Sequence, residues 1–144
     1  MTMSIREAFD RGTEAFNAHD LDAFGELMSD DVVLTASGGL RFEGKAAALQ
    51  FYGVWLEAFP DCHVEINRLI IDDDVAVEEG TFSGTHTGVF RSPEGDIPPT
   101  GRPVKARYLN VLTFRDGKFV SEDLMYDRLL LLEQLGLVPE PAAG

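Results

Sequence analysis

The sequence predicts an α+β fold, in which helices cover one face of an antiparallel or mixed sheet. Two observations carry this expectation. Within the first 60 residues, three segments have apolar side chains at helical spacing, whereas residues 62–125 have the patterns of strands. Helices set against an antiparallel sheet are typical of the α+β class. A sheet curled around a helix leaves a cone with one open mouth, where a small molecule could bind.

The N-terminal part of the chain predicts three helices and two short strands. Residues 4–7 form a capping box before the first helix, and Asp20 can cap a short second helix. Strands are expected at residues 32–36 and 40–42. The third helix carries a wide apolar stripe and ends at Pro60, because proline breaks helices. The stripe is expected to pack in the core, and part of it to form a pocket wall.

The rest of the chain predicts long strands and one closing helix. The strands are expected over residues 63–71, 75–90, 104–114 and 118–125. Glycines at every fourth position of the second strand leave one face without side chains, which favours strong curvature or close approach of another element. A last helix is expected at 128–135, capped by Asp127. We expect a single domain over residues 1–144, with 137–144 as a frayed tail.

Composition and charge exclude several classes of protein. The 25 acidic and 12 basic residues give a net charge of −13, which repels nucleic acids and anionic membranes. The single cysteine, Cys62, cannot form an intrachain disulfide. No apolar run reaches the roughly 18 residues of a membrane span, and the N-terminus lacks the pattern of a signal peptide. We therefore expect a cytoplasmic protein that binds neither nucleic acid nor membranes.

The sequence lacks the common motifs for metals and cofactors. Its histidines, His19, His63 and His86, do not have the spacing of metal ligands, and zinc would find no cysteine partners. The glycines lie within strands, so neither a P-loop nor a dinucleotide fingerprint is present. The Gly-x-Ser-x-Gly motif of serine hydrolases is also missing. We expect neither a metal nor a cofactor.

The last two long strands predict where chemistry could occur. Arg115-Asp116-Gly117 suits a three-residue hairpin loop, which would pair Asn110 with Glu122. Side chains alternate along strands, so one face would be mostly apolar and would carry Tyr108, Asn110, Leu112, Phe114, Val120, Glu122 and Leu124. Its three polar groups are Tyr108, Asn110 and Glu122. The opposite face would include Leu109, Val111, Phe119, Asp123 and Met125.

Glu122 is the candidate acid or base. Burial among apolar groups raises the pKa of a carboxyl group and suits it for proton transfer near neutral pH. Tyr108 and Asn110 could donate hydrogen bonds to an enolate oxygen, and His86 is a further catalytic candidate. The alternatives are structural, because Glu122 could simply bind Asn110 or an arginine, and His86 could be a hydrogen-bonded structural residue.

Short motifs follow one another in a characteristic order over about residues 4–138. They are Phe16-Asn17-Ala18-His19-Asp20, Asp30-Asp31-Val32-Val33, Phe59-Pro60-Asp61, Gly84-Thr85-His86-Thr87-Gly88, Pro98-Pro99-Thr100-Gly101-Arg102, Asp116-Gly117-Lys118 and Leu132-Glu133-Gln134-Leu135-Gly136. This order resembles that of the SnoaL-like polyketide cyclases, which belong to the nuclear transport factor 2-like superfamily. The resemblance extends over nearly the whole chain.

The resemblance implies a cone-shaped α+β barrel, usually a homodimer, that closes rings by intramolecular aldol condensation without metal or cofactor. When the motifs are matched through residues 116–118, Glu122 falls at the family's acid position and Tyr108 at its histidine position. The family's usual acid is aspartate, and many relatives have Glu-His-Trp at residues 121–123. We expect six residues to line an apolar pocket: Phe9, Phe16, Tyr52, Trp55, Leu112 and Leu124.

The leading interpretation is a SnoaL-like enzyme in which Glu122 removes a proton next to a carbonyl group of a small apolar or aromatic molecule. One alternative is another proton-transfer or hydrolytic reaction, such as isomerisation or epoxide opening. Another is a non-catalytic module for ligand binding or dimerisation. The apolar outer sheet face and the leucines at 129–132 predict a homodimer that buries sheet surface.

Overall fold

The computed structural model describes residues 3–139, so residues 140–144 of the expected tail lie outside it. Four helices and eight strands are found there, in the order α1 (Ile5–Asn17), α2 (Leu21–Gly25), β1 (Met28–Ala36), β2 (Leu40–Glu43), α3 (Lys45–Ala58), β3 (His63–Asp72), β4 (Val75–Thr85), β5 (Phe90–Ser92), β6 (Gly95–Ile97), β7 (Pro103–Arg115), β8 (Lys118–Tyr126) and α4 (Arg128–Gln134). No helix among the described residues has both the length and the apolar character needed to cross a membrane.

Six strands form one mixed sheet in the order β2-β1-β8-β7-β4-β3. Strands β1 and β8 run parallel, and the other neighbours run antiparallel. Strands β5 and β6 pair only with each other and form a separate hairpin. Helices and sheet enclose a single described core, so the predicted α+β class with a curved mixed sheet is confirmed.

Side-chain caps begin three of the helices, where exposed backbone N–H groups need acceptors. The Ser4 hydroxyl accepts a hydrogen bond from the Glu7 backbone N–H. Asp20 and Asp127 do the same for α2 and α4. The apolar face of α1 is buried and carries Phe9 and Phe16. Local sequence chemistry therefore fixes where these helices start.

Two glycines allow close packing against the sheet. A Cβ atom on Gly80 would lie 2.4 Å from the Tyr108 ring, so its absence lets that ring cross β4. A Cβ on Gly88 would lie 1.9 Å from the Glu57 carbonyl oxygen, at the end of α3. The Gly88 N–H also donates a hydrogen bond to the Ala58 carbonyl at 3.1 Å. The chain thus approaches the end of α3 only where a side chain is missing.

The continuous strand expected at residues 75–90 is not observed. Strand β4 ends at Thr85, and the chain reaches β5 through an irregular segment at residues 86–89. The His86 N–H and C=O groups bond to Arg102 and Gly101 of the proline-rich loop instead of continuing the ladder. The contact between Gly88 and α3 then turns the chain away from the sheet.

The β7–β8 hairpin differs from the expected register. Its loop has two residues, Asp116 and Gly117, with φ of 54° and 77°, as two-residue hairpin turns require. Arg115 therefore faces Lys118, and Asn110 pairs with Leu124 instead of Glu122.

A β-bulge in β8 restores the expected inward orientation of Glu122. Phe114 pairs with Phe119 but Thr113 pairs with Ser121, which leaves Val120 as the extra residue on β8. Phe119 is consequently buried, contrary to the expectation that it faces outward, and Val120 is only half-buried. The bulge returns Glu122 to the same face as Leu112, its actual cross-strand partner.

Candidate functional site

A cavity of about 130 Å³ lies between helices α1 and α3 and the concave face of the sheet. Its wall is almost entirely apolar and includes all six residues that the sequence assigns to a pocket: Phe9, Phe16, Tyr52, Trp55, Leu112 and Leu124. Three of the four catalytic candidates, Tyr108, Asn110 and Glu122, line the same cavity. The structure therefore brings together every predicted site residue except His86.

Glu122 is the polar centre of this cavity. It is 2% exposed. Its Oε1 atom accepts hydrogen bonds from the Tyr52 hydroxyl and from the side-chain amide of Asn110. Its Oε2 atom is buried and has no hydrogen-bond partner among the described residues. One oxygen is thus held by two donors, while the other is left without a hydrogen-bond partner.

A second buried carboxylate, Glu78, belongs to the site although the sequence reasoning did not select it. Asn110 faces Glu78 across β4 and β7, and its amide donates to Glu78 Oε1 at 3.1 Å. The Tyr108 hydroxyl donates to Glu78 Oε2 at 2.9 Å. Asn110 therefore bridges two carboxylates. The alternation of side chains along β4 could have identified Glu78, because only one of the adjacent residues Glu78 and Glu79 can face outward.

The surroundings raise the pKa of both carboxyl groups. Burial raises the pKa of Glu122 to about 7, against the hydrogen bonds from Tyr52 and Asn110, which lower it, and with the charge of Glu78, which raises it further. Burial also raises the pKa of Glu78, and the bonds from Tyr108 and Asn110 oppose this effect. Glu122 can thus be populated in both protonation states near neutral pH.

The two tyrosines remain protonated hydrogen-bond donors. Burial, followed by the charge of Glu122, raises the pKa of Tyr52 well above its ordinary value. Burial and the charge of Glu78 likewise raise the pKa of Tyr108. Neither phenol can therefore serve as a base near neutral pH. Each is suited to donate its hydrogen bond to a carboxylate or to an oxygen of a ligand.

His86 does not line the cavity, in contrast to the grouping that the sequence suggested. It is fully buried, and its ring lies beside Phe59 at a centroid distance of 5.4 Å. Its Nδ1 atom accepts a hydrogen bond from the Thr100 backbone N–H at 3.2 Å. The reason is the end of β4 at Thr85, after which the chain leaves the sheet face that carries Glu122. His86 thus anchors the proline-rich loop.

Possible metal ligands are also not assembled here. Within residues 3–139, no three His, Cys, Asp or Glu side chains form a group that could hold a metal ion. The hydrogen-bonded polar groups of the described site are two carboxylates, two phenols and one amide, and the mostly apolar wall around them also includes Thr13, Arg107 and Tyr126. These groups can transfer protons and hold oxygen atoms of a ligand by hydrogen bonds.

The buried Glu122 should make the free energy of unfolding fall as the pH rises. Between the ordinary pKa of 4.5 and the folded pKa of about 7, the folded state binds one more proton than the unfolded state. The raised pKa therefore favours folding at low pH, and this contribution is lost above pH 7. The expected loss is about 3 kcal/mol, measured by urea denaturation near pH 5 and pH 8.

Two variants separate this effect from other titrations. Glu122→Gln cannot ionise and should lose this part of the pH dependence. Asp123→Asn, on the next residue, should keep most of it, because Asp123 is exposed, bonds to Thr35 on the outer face, and is the smallest of the influences on the pKa of Glu122. An unchanged pH dependence in Glu122→Gln would contradict the assignment.

Several solved structures share the fold of this chain. AclR from Streptomyces galilaeus, described as "a putative hydroxylase", is 25% identical; the match covers 96% of this chain and 85% of AclR with a TM-score of 0.83. IdmH from Streptomyces antibioticus, "a putative polyketide cyclase", is 26% identical, with coverage of 93% and 99% and a TM-score of 0.78. A "SnoaL-like polyketide cyclase" from Jannaschia sp. CCS1 shares the fold at 21% identity, coverage of 94% and 93%, and a TM-score of 0.83.

The sequence itself matches a family profile. No curated protein matches the chain. Residues 6–135 match the profile of the SnoaL-like polyketide cyclases. This range contains the whole six-stranded sheet and all four helices except the first residue of α1. This range contains Glu78, Asn110 and Glu122. The chain therefore belongs to the SnoaL-like polyketide cyclase family.

Proposed function

We propose that this protein is an acid–base enzyme that removes a proton next to a carbonyl group of a small, neutral, mostly apolar molecule and closes a ring by intramolecular aldol addition. The observation that carries this proposal is the free Oε2 atom of Glu122 in an apolar cavity, beside an Oε1 atom that two donors hold. Family membership supports the reaction class. The net charge of −13 disfavours anionic substrates.

The reaction begins with proton transfer from carbon to the ionised Glu122. The C–H electron pair becomes the enolate, and the proton goes to Oε2. The enolate carbon then attacks a second carbonyl of the same molecule, which forms the ring C–C bond and an alkoxide. Protonated Glu122 returns its proton to the alkoxide oxygen, so that the enzyme is regenerated. A carboxyl group with a pKa of about 7 suits both steps.

Tyr52 is the donor best placed to stabilise the enolate. Its hydroxyl bonds to Glu122 Oε1, and that acceptor becomes weaker once Glu122 is protonated and neutral. The hydroxyl can then turn to the enolate oxygen that forms beside it. Tyr108 and Asn110 act differently, because their donors are already engaged by the carboxylates. They are positioning residues that hold Glu78 and Glu122 in place.

Replacement of Glu122 tests this proposal directly. Glu122→Gln keeps the size of the side chain but removes the base, so turnover should fall by about 10²–10⁴-fold. Suitable probes are α-proton exchange of cyclohexanone in D₂O and the closure of 2,6-heptanedione to 3-methylcyclohex-2-enone with loss of water. Both can be followed by NMR.

The control for this variant is Asp123→Asn, which changes the neighbouring carboxylate on the outer face and should retain wild-type turnover. If Glu122→Gln turned over normally, Glu122 would be structural. If the wild-type protein bound such ketones but neither exchanged nor cyclised them, a ligand-binding module would be the better interpretation. Exchange without ring closure would indicate an isomerase, which shares the first step.

Glu78 should tune the reaction through its charge. We expect Glu78→Gln to lower the pKa of Glu122, because a negative charge near that carboxyl group disappears. The base must be ionised, so the rise of kcat/KM with pH should move to lower pH. The other titratable groups around Glu122 are Tyr52, Tyr108 and Asp123, and the pKa of both phenols is raised by burial, so they stay protonated.

Glu79→Gln is the matched control for Glu78→Gln. Glu79 is the next residue of β4, and it forms ion pairs with Arg68 and Arg107 on the outer face. Its replacement should leave the pH profile of kcat/KM unchanged. A shift of equal size in both variants, or in neither, would show that Glu78 does not act on Glu122.

We also propose that two copies of the chain associate through the outer sheet face. Leu109 and Met125 are cross-strand neighbours there, with exposures of 46% and 59%, and Val77 and Val111 pair beside them. Exposed apolar groups in a contiguous patch favour association. Light scattering at micromolar concentration should give twice the mass of one chain.

Leu109→Asp should produce monomers, because it would place a carboxylate inside the interface. The control Ile71→Asp alters an exposed isoleucine on the opposite face of the edge strand and should remain dimeric. A monomeric wild-type protein across micromolar concentrations would contradict this proposal.

A further inference from the structure

A second and larger cavity lies next to the one that contains Glu122. Its volume is about 690 Å³, and we call it the hairpin cavity because the β5–β6 hairpin covers it. Helices α3 and α4 and strand β2 form its other walls, with apolar residues such as Val54, Ile97 and Leu132. None of these three side chains lines the Glu122 cavity.

Four side chains line both cavities and form the partition between them: Phe51, Trp55, Tyr126 and Leu131. The Trp55 and Tyr126 rings meet edge to face at a centroid distance of 5.5 Å. Phe90 of the hairpin also packs edge to face against Trp55, at a centroid distance of 5.1 Å. The same four side chains contact both spaces, so a change in their rotamers would change the connection between the cavities.

The two cavities have different capacities. An apolar cavity of about 150 Å³ holds one benzene ring. The Glu122 cavity, at about 130 Å³, therefore has room for about one six-membered ring. The hairpin cavity can hold considerably more, and its size falls in the usual range of ligand sites, roughly 300–1,000 Å³.

The charged groups around the hairpin cavity neutralise one another. Arg91 forms ion pairs with Glu57 at 3.1 Å and with Asp96 at 2.9 Å. Arg128 forms an ion pair with Glu94 at 2.9 Å, which ties α4 to the hairpin. The lining thus offers no unpaired cation for a carboxylate or a phosphate, and it favours a neutral, apolar occupant.

We propose that the two cavities are the two halves of one substrate site. The reacting carbonyl end, about one ring in size, lies beside Glu122, and a neutral apolar extension of several carbon atoms lies in the hairpin cavity. Trp55 and Tyr126 move aside to let the extension pass. The substrate class is therefore a carbonyl compound with an apolar chain or second ring, and the identity of the reacting end rests on the proposed function.

A series of 4-alkylphenols tests this arrangement, because a phenol resembles an enol and its alkyl chain can enter the hairpin cavity. Binding of phenol, 4-propylphenol and 4-hexylphenol is measured by calorimetry near pH 8. Each buried methylene should lower Kd by about threefold to fourfold. The hexyl compound should therefore bind about 30- to 60-fold more tightly than the propyl compound.

Filling the hairpin cavity should abolish this gain. In Ile97→Trp, phenol should bind within about twofold of wild type, while the hexyl advantage should fall below about fivefold. Leu132→Trp fills the same cavity from α4 and serves as a second variant if Ile97→Trp does not fold, which thermal melting would reveal. The control Ile71→Trp, at an exposed residue that lines neither cavity, should keep the full gain.

Two results would overturn the proposal: no gain with chain length in the wild-type protein, or a full gain in folded variants with a filled hairpin cavity. Failure of the proposed function is seen separately. If Glu122→Gln still exchanged ketone protons at the wild-type rate while the chain-length gain was present, the acid–base role would fail and the two-part site would stand.

Discussion

The burial of the Glu122 carboxyl group is the constraint on which the rest of the site depends. A carboxylate inside a protein is costly unless donors satisfy it, and the cost is several kcal/mol for an unpaired charge. Here the compensation comes from Tyr52 on α3 and from Asn110 on β7. The remaining cost appears as a pKa of about 7, and this raised pKa is what suits the group to the proposed proton transfer.

The same constraint orders the elements around the site. Tyr52 reaches Glu122 because its ring is held by Phe24 at a centroid distance of 4.8 Å and by Phe51 at 5.5 Å. Asn110 cannot turn freely, since its amide also bonds to Glu78. Tyr108 completes the row by crossing β4 at Gly80. Three sheet strands and one helix are thus connected through a single chain of hydrogen bonds.

The apolar surroundings connect chemistry to substrate choice. Around the two carboxylates the wall consists mainly of aromatic and aliphatic side chains, and the partition, which includes Trp55 and Tyr126, separates this space from the hairpin cavity. The low polarity strengthens hydrogen bonds to any charge that forms during reaction. It also excludes strongly hydrated molecules. The proposed reaction class and the proposed substrate class therefore share one physical origin, an apolar cavity with few polar groups.

Much of the architecture follows from local sequence chemistry. The caps at Ser4, Asp20 and Asp127 act on neighbouring backbone groups, so residue spacing alone predicts where helices begin. Side-chain alternation also shows which residues of one strand share a face, such as Tyr108, Asn110 and Leu112 of β7. These features depend on contacts over a few residues or on the geometry of an isolated strand, and they need no knowledge of the packed structure.

Other features were decided by tertiary structure. Tyr52 and Glu122 are 70 residues apart, and only the packing of α3 on the sheet brings their oxygens together. The bulge at Val120 offsets the two-residue turn that replaces the expected three-residue loop, and it keeps Glu122 inside. His86 departs from the site because the glycine at 88 lets the chain pack on α3. The sequence by itself determined the fold class and the helix starts; long-range packing determined the face of the Glu122 carboxylate and its partners, because strand register and hydrogen bonds between distant residues depend on how the sheet is assembled.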